Sequence, residues 1–133
     1  MGQDLTMERS FLLDTDILID FFRGYNKAVS FVNKYSSRIL LSSIGVAELY
    51  AGVKEGAEQT SLENFVSLFR VVPVTAEIAK AGGLYKRDYG KSHGVRLGDA
   101  IMAATSKAEN AELKTLNTKH YPMINGLTPA YNK

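Results

Sequence analysis

The stretch FLLDTDILIDFF, residues 11–22, places carboxylates inside an otherwise apolar segment. Its first part, an apolar run that ends at Asp14, is typical of the inner strand of a parallel sheet, and a helical pattern begins at about Asp16. Asp14 would then lie at the carboxyl end of the strand, the edge where open α/β sheets hold their ligands. The stretch therefore predicts an α/β protein with a functional site at that edge.

Strand and helix patterns alternate along the rest of the chain. Strands are predicted over 11–14, 38–41, 71–74 and 113–116, with a short fifth strand over 123–127. Helices are predicted over 16–22, from 26, from 42–43 to 53, over 57–69, 76–89 and 100–109, with a loop over 90–94. This order predicts a three-layer α/β/α sandwich with a central parallel sheet of four to five strands.

Length and composition narrow the class of protein. A chain of 133 residues suits one domain, 1–133, of which we expect residues 1–9 to form a flexible leader. The absence of cysteine excludes disulfides, thiolate metal sites and a cysteine nucleophile, so any metal would be a hard cation bound by oxygen. No signal peptide or membrane-spanning run is evident, and we expect a cytoplasmic protein with no membrane partner.

Three acids, Asp14, Glu48 and Asp99, are flanked by apolar residues in segments that otherwise resemble core. A buried carboxylate is costly unless it is paired or binds a metal ion, and the nearest basic residues fall at helix ends or in loops. Clustered carboxylates with oxygen-only ligands would select Mg²⁺ or Mn²⁺. Each acid alone also has an ordinary interpretation: a strand-end residue, a solvated helix position and a first-turn acid that stabilises its helix.

Two further acids in the first stretch receive structural roles. Asp16 is predicted to cap the first helix, because a side-chain oxygen at that position can accept a hydrogen bond from a free amide of the first turn. Asp20 follows four residues later on the same helical face and precedes Arg23 by three. We therefore expect Asp20 to form an ion pair on the surface.

Four segments resemble the signature blocks of PIN-domain endoribonucleases, and especially of VapC-like toxins of type II toxin–antitoxin systems. They are FLLDTDILIDFF, ILLSSIGVAELYAG, RLGDAIMAATS and LKTLNTKHYPMI, and their order and spacing agree from about residue 10 to 127. The resemblance implies that Asp14, Glu48 and Asp99 are the acidic metal ligands, and it places Asn117 at a fourth catalytic position, often Asp in the family. It also implies hydrolysis of RNA by water activated on Mg²⁺ or Mn²⁺.

The resemblance further implies roles for neighbouring residues and for partners. Thr15 and Thr115 would orient ligands or waters, whereas His120 is predicted to be structural. An antitoxin would cover the helical arms over 44–69, and a homodimer is common in such proteins. The candidate interface residues, which equally suit the core, are Tyr50, Leu62, Phe65 and Phe69.

A basic stretch from 80 to 96 is the candidate RNA-binding surface. Its proposed RNA contacts are Lys86, Arg87, Lys91 and Arg96, interleaved with Tyr85 and Tyr89, which could stack on unpaired bases. A solvated helix face with two half-buried tyrosines explains the same pattern equally well.

Two other functions are weighed against the nuclease. Asp14-Thr15-Asp16 resembles the nucleophile motif of haloacid-dehalogenase phosphatases, but Leu18 stands where that motif has Thr or Val, and a later pair of acids is missing. An inactive PIN-like scaffold that binds RNA or a partner protein is the non-enzymatic alternative. The presence of all three acids argues against it.

Overall fold

The computed structural model describes residues 9–133. Its strands are β1 (Phe11–Leu13), β2 (Ile39–Ser42), β3 (Arg70–Val72) and β4 (Glu112–Lys114). Its helices are α1 (Thr15–Phe22), α2 (Asn26–Lys34), α3 (Ser43–Gly52), α4 (Ala57–Val66), α5 (Ala76–His93) and α6 (Leu97–Ala108). Short 3₁₀ turns cover Ser36–Arg38 and Thr118–His120. No helix within the described residues is both long and apolar enough to cross a membrane.

The four strands form one parallel sheet in the order β3-β2-β1-β4. In the central strand β1, Leu12 pairs with Leu40 on one side and with Leu113 on the other. Side chains alternate between the two faces, so Phe11 and Leu13 enter one core and Leu12 enters the other. Both faces of β1 are therefore buried, which explains a strand without a polar alternation.

Helices cover both faces of the sheet. The first core joins Phe11 and Leu13 to apolar side chains of α1, α2, α3 and α4, and the second joins Leu12 to side chains of α5 and α6 such as Ile78 and Met102. The predicted three-layer α/β/α sandwich with a parallel sheet is confirmed.

The strand order places a crevice beside Asp14. The chain moves outward from β1 to β2 and β3, then returns through α5 and α6 to add β4 on the other side of β1. Strand order reverses between β1 and β4, and ligands of open α/β sheets bind at such a point. The Asp14 amide donates to the Lys114 carbonyl at 2.9 Å, so Asp14 and Thr115 lie at adjacent carboxyl ends of the two strands.

The structure differs from two local predictions, at the end of α5 and over 123–127, and describes one residue of the predicted leader. The loop predicted over 90–94 is wrong, because α5 continues to His93 and ends at Gly94, whose φ of 64° is the left-handed conformation of a helix stop. The fifth strand predicted over 123–127 is also wrong: this segment forms turns, and Met123 packs with its neighbours on the second core. Of the predicted leader, residues 1–8 lie outside the described residues, and Arg9 donates to the Asn110 and Ala111 carbonyls at 3.1 Å.

Candidate active site

Asp14 is held at the centre of the crevice by three neutral donors. Its Oδ1 accepts the Thr15 amide at 2.8 Å as the cap of α1, and its Oδ2 accepts the hydroxyls of Thr115 at 2.8 Å and Tyr121 at 2.7 Å. The side chain is nearly buried, and within residues 9–133 no lysine or arginine pairs with it. Its negative charge is therefore stabilised by dipoles alone.

Thr15 links Glu48 to Asp14, because it donates a hydrogen bond to each carboxylate. The Thr15 hydroxyl donates to Glu48 Oε1 at 2.8 Å, and the Thr15 amide donates to Asp14 Oδ1. The second oxygen, Oε2, lies against Gly98, where an added Cβ would be only 2.9 Å away. Since Gly98 precedes Asp99, the Glu48 carboxylate lies between the first turns of α1 and α6.

Asp99 occupies the first turn of α6 and is also buried. Its Oδ2 is 3.4 Å from Arg96 Nε and 3.6 Å from His120 Nδ1. The Arg96 side chain is 75% exposed, so solvent screens this ion pair and leaves the guanidinium accessible. His120, predicted to be structural, lies with a ring nitrogen near this site carboxylate.

Asp16 belongs to the same cluster, and its predicted role as the cap of α1 is wrong because Asp14 caps that helix. Its Oδ2 accepts the Leu116 amide at 2.9 Å, the Thr115 hydroxyl at 3.2 Å and the Asn117 side-chain amide at 3.3 Å. Burial, and then the charge of Asp14, raise the pKa of Asp16 to about 6. A sequence signal for Asp16 as a site residue did exist: Asp14 can cap α1, so the second acid of Asp14-Thr15-Asp16 is not needed as a cap.

Tyr121 reports how closely the acids gather. It is fully buried, and burial followed by the charges of Asp14, Asp99 and Asp16 raises the pKa of its hydroxyl. Three carboxylates, one at the cap of α1 and one each from α1 and α6, therefore act on one hydroxyl group. Sequence reasoning placed Tyr121 in the last signature block and gave it no role.

Asp20 lies outside this cluster and forms an ion pair, as predicted, but with Lys133 and at a buried position rather than on the surface beside Arg23. The side chain is 5% exposed, and it accepts the Tyr131 hydroxyl at 2.8 Å and the Lys133 ammonium at 3.1 Å. The reason is the carboxyl-terminal segment: the Ala130 amide donates to the Thr115 carbonyl at 3.0 Å and brings the following residues over α1.

The predicted RNA-binding residues on α5 make local contacts. The Lys86 ammonium donates to the Val95 carbonyl at 2.7 Å, and Arg87 pairs with Asp88 at 2.9 Å. Tyr85 packs against the second core, and the Tyr89 ring contacts His93. Of the four predicted basic residues, Arg96 is the one that contacts a site acid.

The donor set fits a hard divalent cation in its chemistry. Four carboxylates, Asp14, Asp16, Glu48 and Asp99, and the Asn117 amide offer oxygen atoms only, which suits Mg²⁺ or Mn²⁺. Among residues 9–133, Arg96 is the one lysine or arginine that pairs with these carboxylates, and it is exposed. The cluster therefore holds a surplus of negative charge that a divalent cation would offset. Within residues 9–133, no three acidic or histidine side chains are already gathered closely enough to hold an ion.

The fold and the site define an α/β protein with an acidic, oxygen-only site at the switch point of a parallel sheet. A family model described as PIN domain matches residues 11–122, which is most of the chain. The chain belongs to the PIN domain family, and the resemblance predicted from its four segments is confirmed. This membership favours the PIN assignment over the phosphatase alternative.

The similarity to individual relatives extends over nearly the whole chain. Ribonuclease VapC19 of Mycobacterium tuberculosis strain H37Rv is 37% identical over 124 residues, which cover 90% of this chain and 98% of the relative. Ribonuclease VapC10 of the same strain is 34% identical over 123 residues, covering 90% and 92%. Among solved structures, a toxin–antitoxin complex from Klebsiella pneumoniae contains a chain with a TM-score of 0.80 and 28% identity, covering 93% of this chain and all of that one.

Proposed function

We propose that this protein is an endoribonuclease that hydrolyses RNA phosphodiester bonds with a bound Mg²⁺ or Mn²⁺ ion, as the toxin of a type II toxin–antitoxin system. The observation that carries the proposal is the Asp14 carboxylate at the switch point, buried on three neutral donors beside the charges of Asp16 and Asp99. Two relatives named ribonucleases, each covering nine-tenths of the chain, support the same reaction.

Asp14, Glu48 and Asp99 would hold the ion, with Asp16 and the Asn117 amide oxygen beside them. When bound, such an ion activates water and offsets negative charge on the phosphate. The residues of the chain orient the carboxylates that would hold the ion. Thr115 and Tyr121 fix one Asp14 oxygen, and Thr15 fixes one Glu48 oxygen. The Asn117 nitrogen donates to Asp16, which leaves the amide oxygen as the free end of that side chain.

The substrate class follows from the same crevice. A phosphodiester brings its own negative charge to a cluster of acids, so a cation between them favours its entry. Arg96 lies beside Asp99 and is mostly exposed, which supports its proposed contact with an RNA phosphate. Of the four predicted basic residues we include Arg96 alone, since Arg87 is paired with Asp88 and Lys86 donates to the Val95 carbonyl.

An antitoxin would cover an apolar groove of about 700 Å³ between α1, α3 and α4. The groove runs from Glu48 past Ile19 and Phe22, whose side chains are 39% and 40% exposed. A partner seated there would obstruct the acidic site. Of the predicted contacts, Leu62 lines this groove although its side chain is only 3% exposed, and Phe65 is buried in the first core.

We also propose that the protein forms a homodimer. Two apolar side chains on neighbouring helices remain exposed on the isolated chain, Leu84 on α5 at 38% and Leu97 on α6 at 53%. Exposed apolar side chains of this size suit a protein interface. Sedimentation of the purified protein would measure the oligomeric state.

The test is cleavage of structured RNAs with Mn²⁺, with and without EDTA, by the wild type and an Asp14→Asn variant. We expect Mn²⁺-dependent cleavage that EDTA abolishes and that Asp14→Asn lowers at least about 100-fold. Asp88→Asn, which removes an exposed acid on α5, is the control and should cleave normally. RNA binding without metal-dependent cleavage, unchanged in Asp14→Asn, would instead support the inactive scaffold.

A further inference from the structure

We propose that single-stranded RNA leaves the acidic site along a basic groove formed by Arg23, Lys27 and Lys133. We call this surface the tail groove, because the carboxyl-terminal segment 129–133 forms one of its walls. The inference rests on the proposed ribonuclease function. It differs from the expectation from sequence, which placed the RNA contacts on the carboxyl-terminal part of α5.

The tail groove is continuous with the site. A depression of about 490 Å³ is lined by Asp16 and Asn117 at one end and by Arg23 and Lys133 at the other. A second depression, of about 700 Å³, shares Arg23 and Lys133 and extends to Lys27 at the start of α2. A strand bound at the acids can therefore continue over three cations.

The wall of the groove is fixed by contacts within the chain. The Ala130 amide donates to the Thr115 carbonyl at 3.0 Å, so the segment is joined to the end of β4. The Tyr131 hydroxyl donates to Asp20 at 2.8 Å, and its ring lies 6.0 Å from that of Tyr25. A preformed wall loses little conformational entropy of its own when RNA binds.

The surface that the tail groove presents is positive. Its acid beyond Asp16 is Asp20, which is 5% exposed and already engaged by Tyr131 and Lys133. Among residues 9–133, Arg23 has no ion-pair partner, and the Lys27 ammonium donates to the neutral Asn132 carbonyl. Exposed cations along a groove bind the phosphates of a single strand.

The carboxyl-terminal part of α5 suits this role less well. Arg87 is paired with Asp88 at 2.9 Å, and in the groove Lys133 is paired with Asp20 in the same way. Lys86 donates to the Val95 carbonyl at 2.7 Å, much as Lys27 donates to the Asn132 carbonyl. The two surfaces therefore differ in position: neither Arg87 nor Lys86 lines the depression that contains Asp16 and Asn117 or the one that extends to Lys27.

Arg23→Ala tests the tail groove, and Arg87→Ala is the matched control on α5. A labelled, unstructured 12-nucleotide RNA is titrated with each full-length variant in EDTA at several salt concentrations, and binding is followed by fluorescence anisotropy. We expect Arg23→Ala to raise Kd about five- to tenfold and to lower the slope of log K against log salt by about 0.7. Arg87→Ala should stay within about twofold of the wild type.

Lys27→Ala provides a second variant in the groove, at a different element, and should weaken binding in the same way. A larger loss in Arg87→Ala than in Arg23→Ala, or wild-type affinity in both groove variants, would overturn the inference. Thermal melting of each variant shows whether it is folded, so that a change in Kd is compared between folded proteins.

Cleavage assays separate this inference from the proposed function. With Mn²⁺, Arg23→Ala should raise KM for the RNA while kcat and the affinity for Mn²⁺ stay unchanged. If the wild type cleaves RNA and both groove variants bind it normally, the proposed RNA path is wrong and the proposed ribonuclease function is supported. If Arg23→Ala weakens RNA binding but the wild type shows no Mn²⁺-dependent cleavage, the groove stands and the ribonuclease is wrong.

Discussion

The Tyr121 hydroxyl donates a 2.7 Å hydrogen bond to Asp14 Oδ2, across 107 residues of sequence. Thr115 donates to the same oxygen at 2.8 Å, so this oxygen has two donors, whereas within residues 9–133 Oδ1 has the Thr15 amide alone. A carboxylate oxygen accepts about two hydrogen bonds. Oδ1 is therefore the oxygen with a free acceptor site, and Tyr121 helps to set its direction.

The first prediction removes that bond with Tyr121→Phe. We expect the affinity for Mn²⁺ to fall about tenfold, because the Asp14 carboxylate loses one of the groups that orient it. The free energy of unfolding without metal should fall by about 2 kcal/mol, as expected for a buried hydrogen bond to a charged group. Isothermal titration with Mn²⁺ and urea unfolding in EDTA measure the two quantities.

The control for this prediction is Tyr131→Phe, which removes a similar 2.8 Å bond to Asp20, outside the acidic cluster. It should lower stability and leave the affinity for Mn²⁺ unchanged. If Tyr121→Phe binds Mn²⁺ as tightly as the wild type, Tyr121 has no positioning role.

The parts of the site that could be predicted from sequence are those with a local signal. Asp14 and Asp99 are acids in apolar segments, and both are buried in the structure. Tyr121 and Asp16 gain their roles from contacts made about 100 residues away, at the ends of other strands. A pattern of neighbouring residues carries no information about such contacts.

The same limit explains the errors in the fold. The central strands are apolar runs, which predict buried strands directly. The segment 123–127 is also apolar, but its side chains cover the second core from turns, and composition does not distinguish that role from a strand. The end of α5 was missed because glycine at 90 suggested a loop, although that residue is helical and Gly94 forms the stop.

The second prediction concerns pH and Asp16. Its pKa is raised from 3.8 to about 6 by burial and by Asp14. The folded protein therefore binds a proton in a range where the unfolded chain has released it, and stability without metal should fall as pH rises from about 4 to about 6. The loss is at most about 3 kcal/mol. Urea unfolding in EDTA across this range measures it.

Asp16→Asn should remove this part of the pH dependence, because the amide does not titrate. The difference between the wild-type and Asp16→Asn curves is the informative quantity, since other groups titrate in both proteins. Asp88→Asn, at an exposed position, should give a curve parallel to the wild type. Parallel curves for Asp16→Asn and the wild type would contradict the prediction.

The third prediction concerns Gly98, where an added Cβ would lie 2.9 Å from Glu48 Oε2. Gly98→Ala should displace the Glu48 carboxylate and lower cleavage about tenfold. The free energy of unfolding should change by less than about 1 kcal/mol, because a carboxylate at the end of a flexible side chain can move and alanine favours the helix. Cleavage kinetics with saturating Mn²⁺ and urea unfolding test the two parts.

A double-mutant cycle shows whether this effect acts through Glu48. The variant with both Gly98→Ala and Glu48→Gln should be no less active than Glu48→Gln alone, because the displaced group is already altered. Losses of activity that multiply would mean that Gly98→Ala acts by another route.

The fourth prediction compares two adjacent glycines of α5, Gly82 and Gly83. At Gly82 an added Cβ would lie 2.9 Å from Ile101 Cγ1 and 3.0 Å from Ile101 Cα, whereas at Gly83 nothing lies within 4 Å. Gly82→Ala should therefore lower the free energy of unfolding by about 1–2 kcal/mol, since overpacking outweighs the gain in helix propensity. Gly83→Ala should raise it by up to about 1 kcal/mol. Urea unfolding of both variants is the measurement, and a change of the same sign at the two positions would contradict the close approach of α5 to α6 at Gly82.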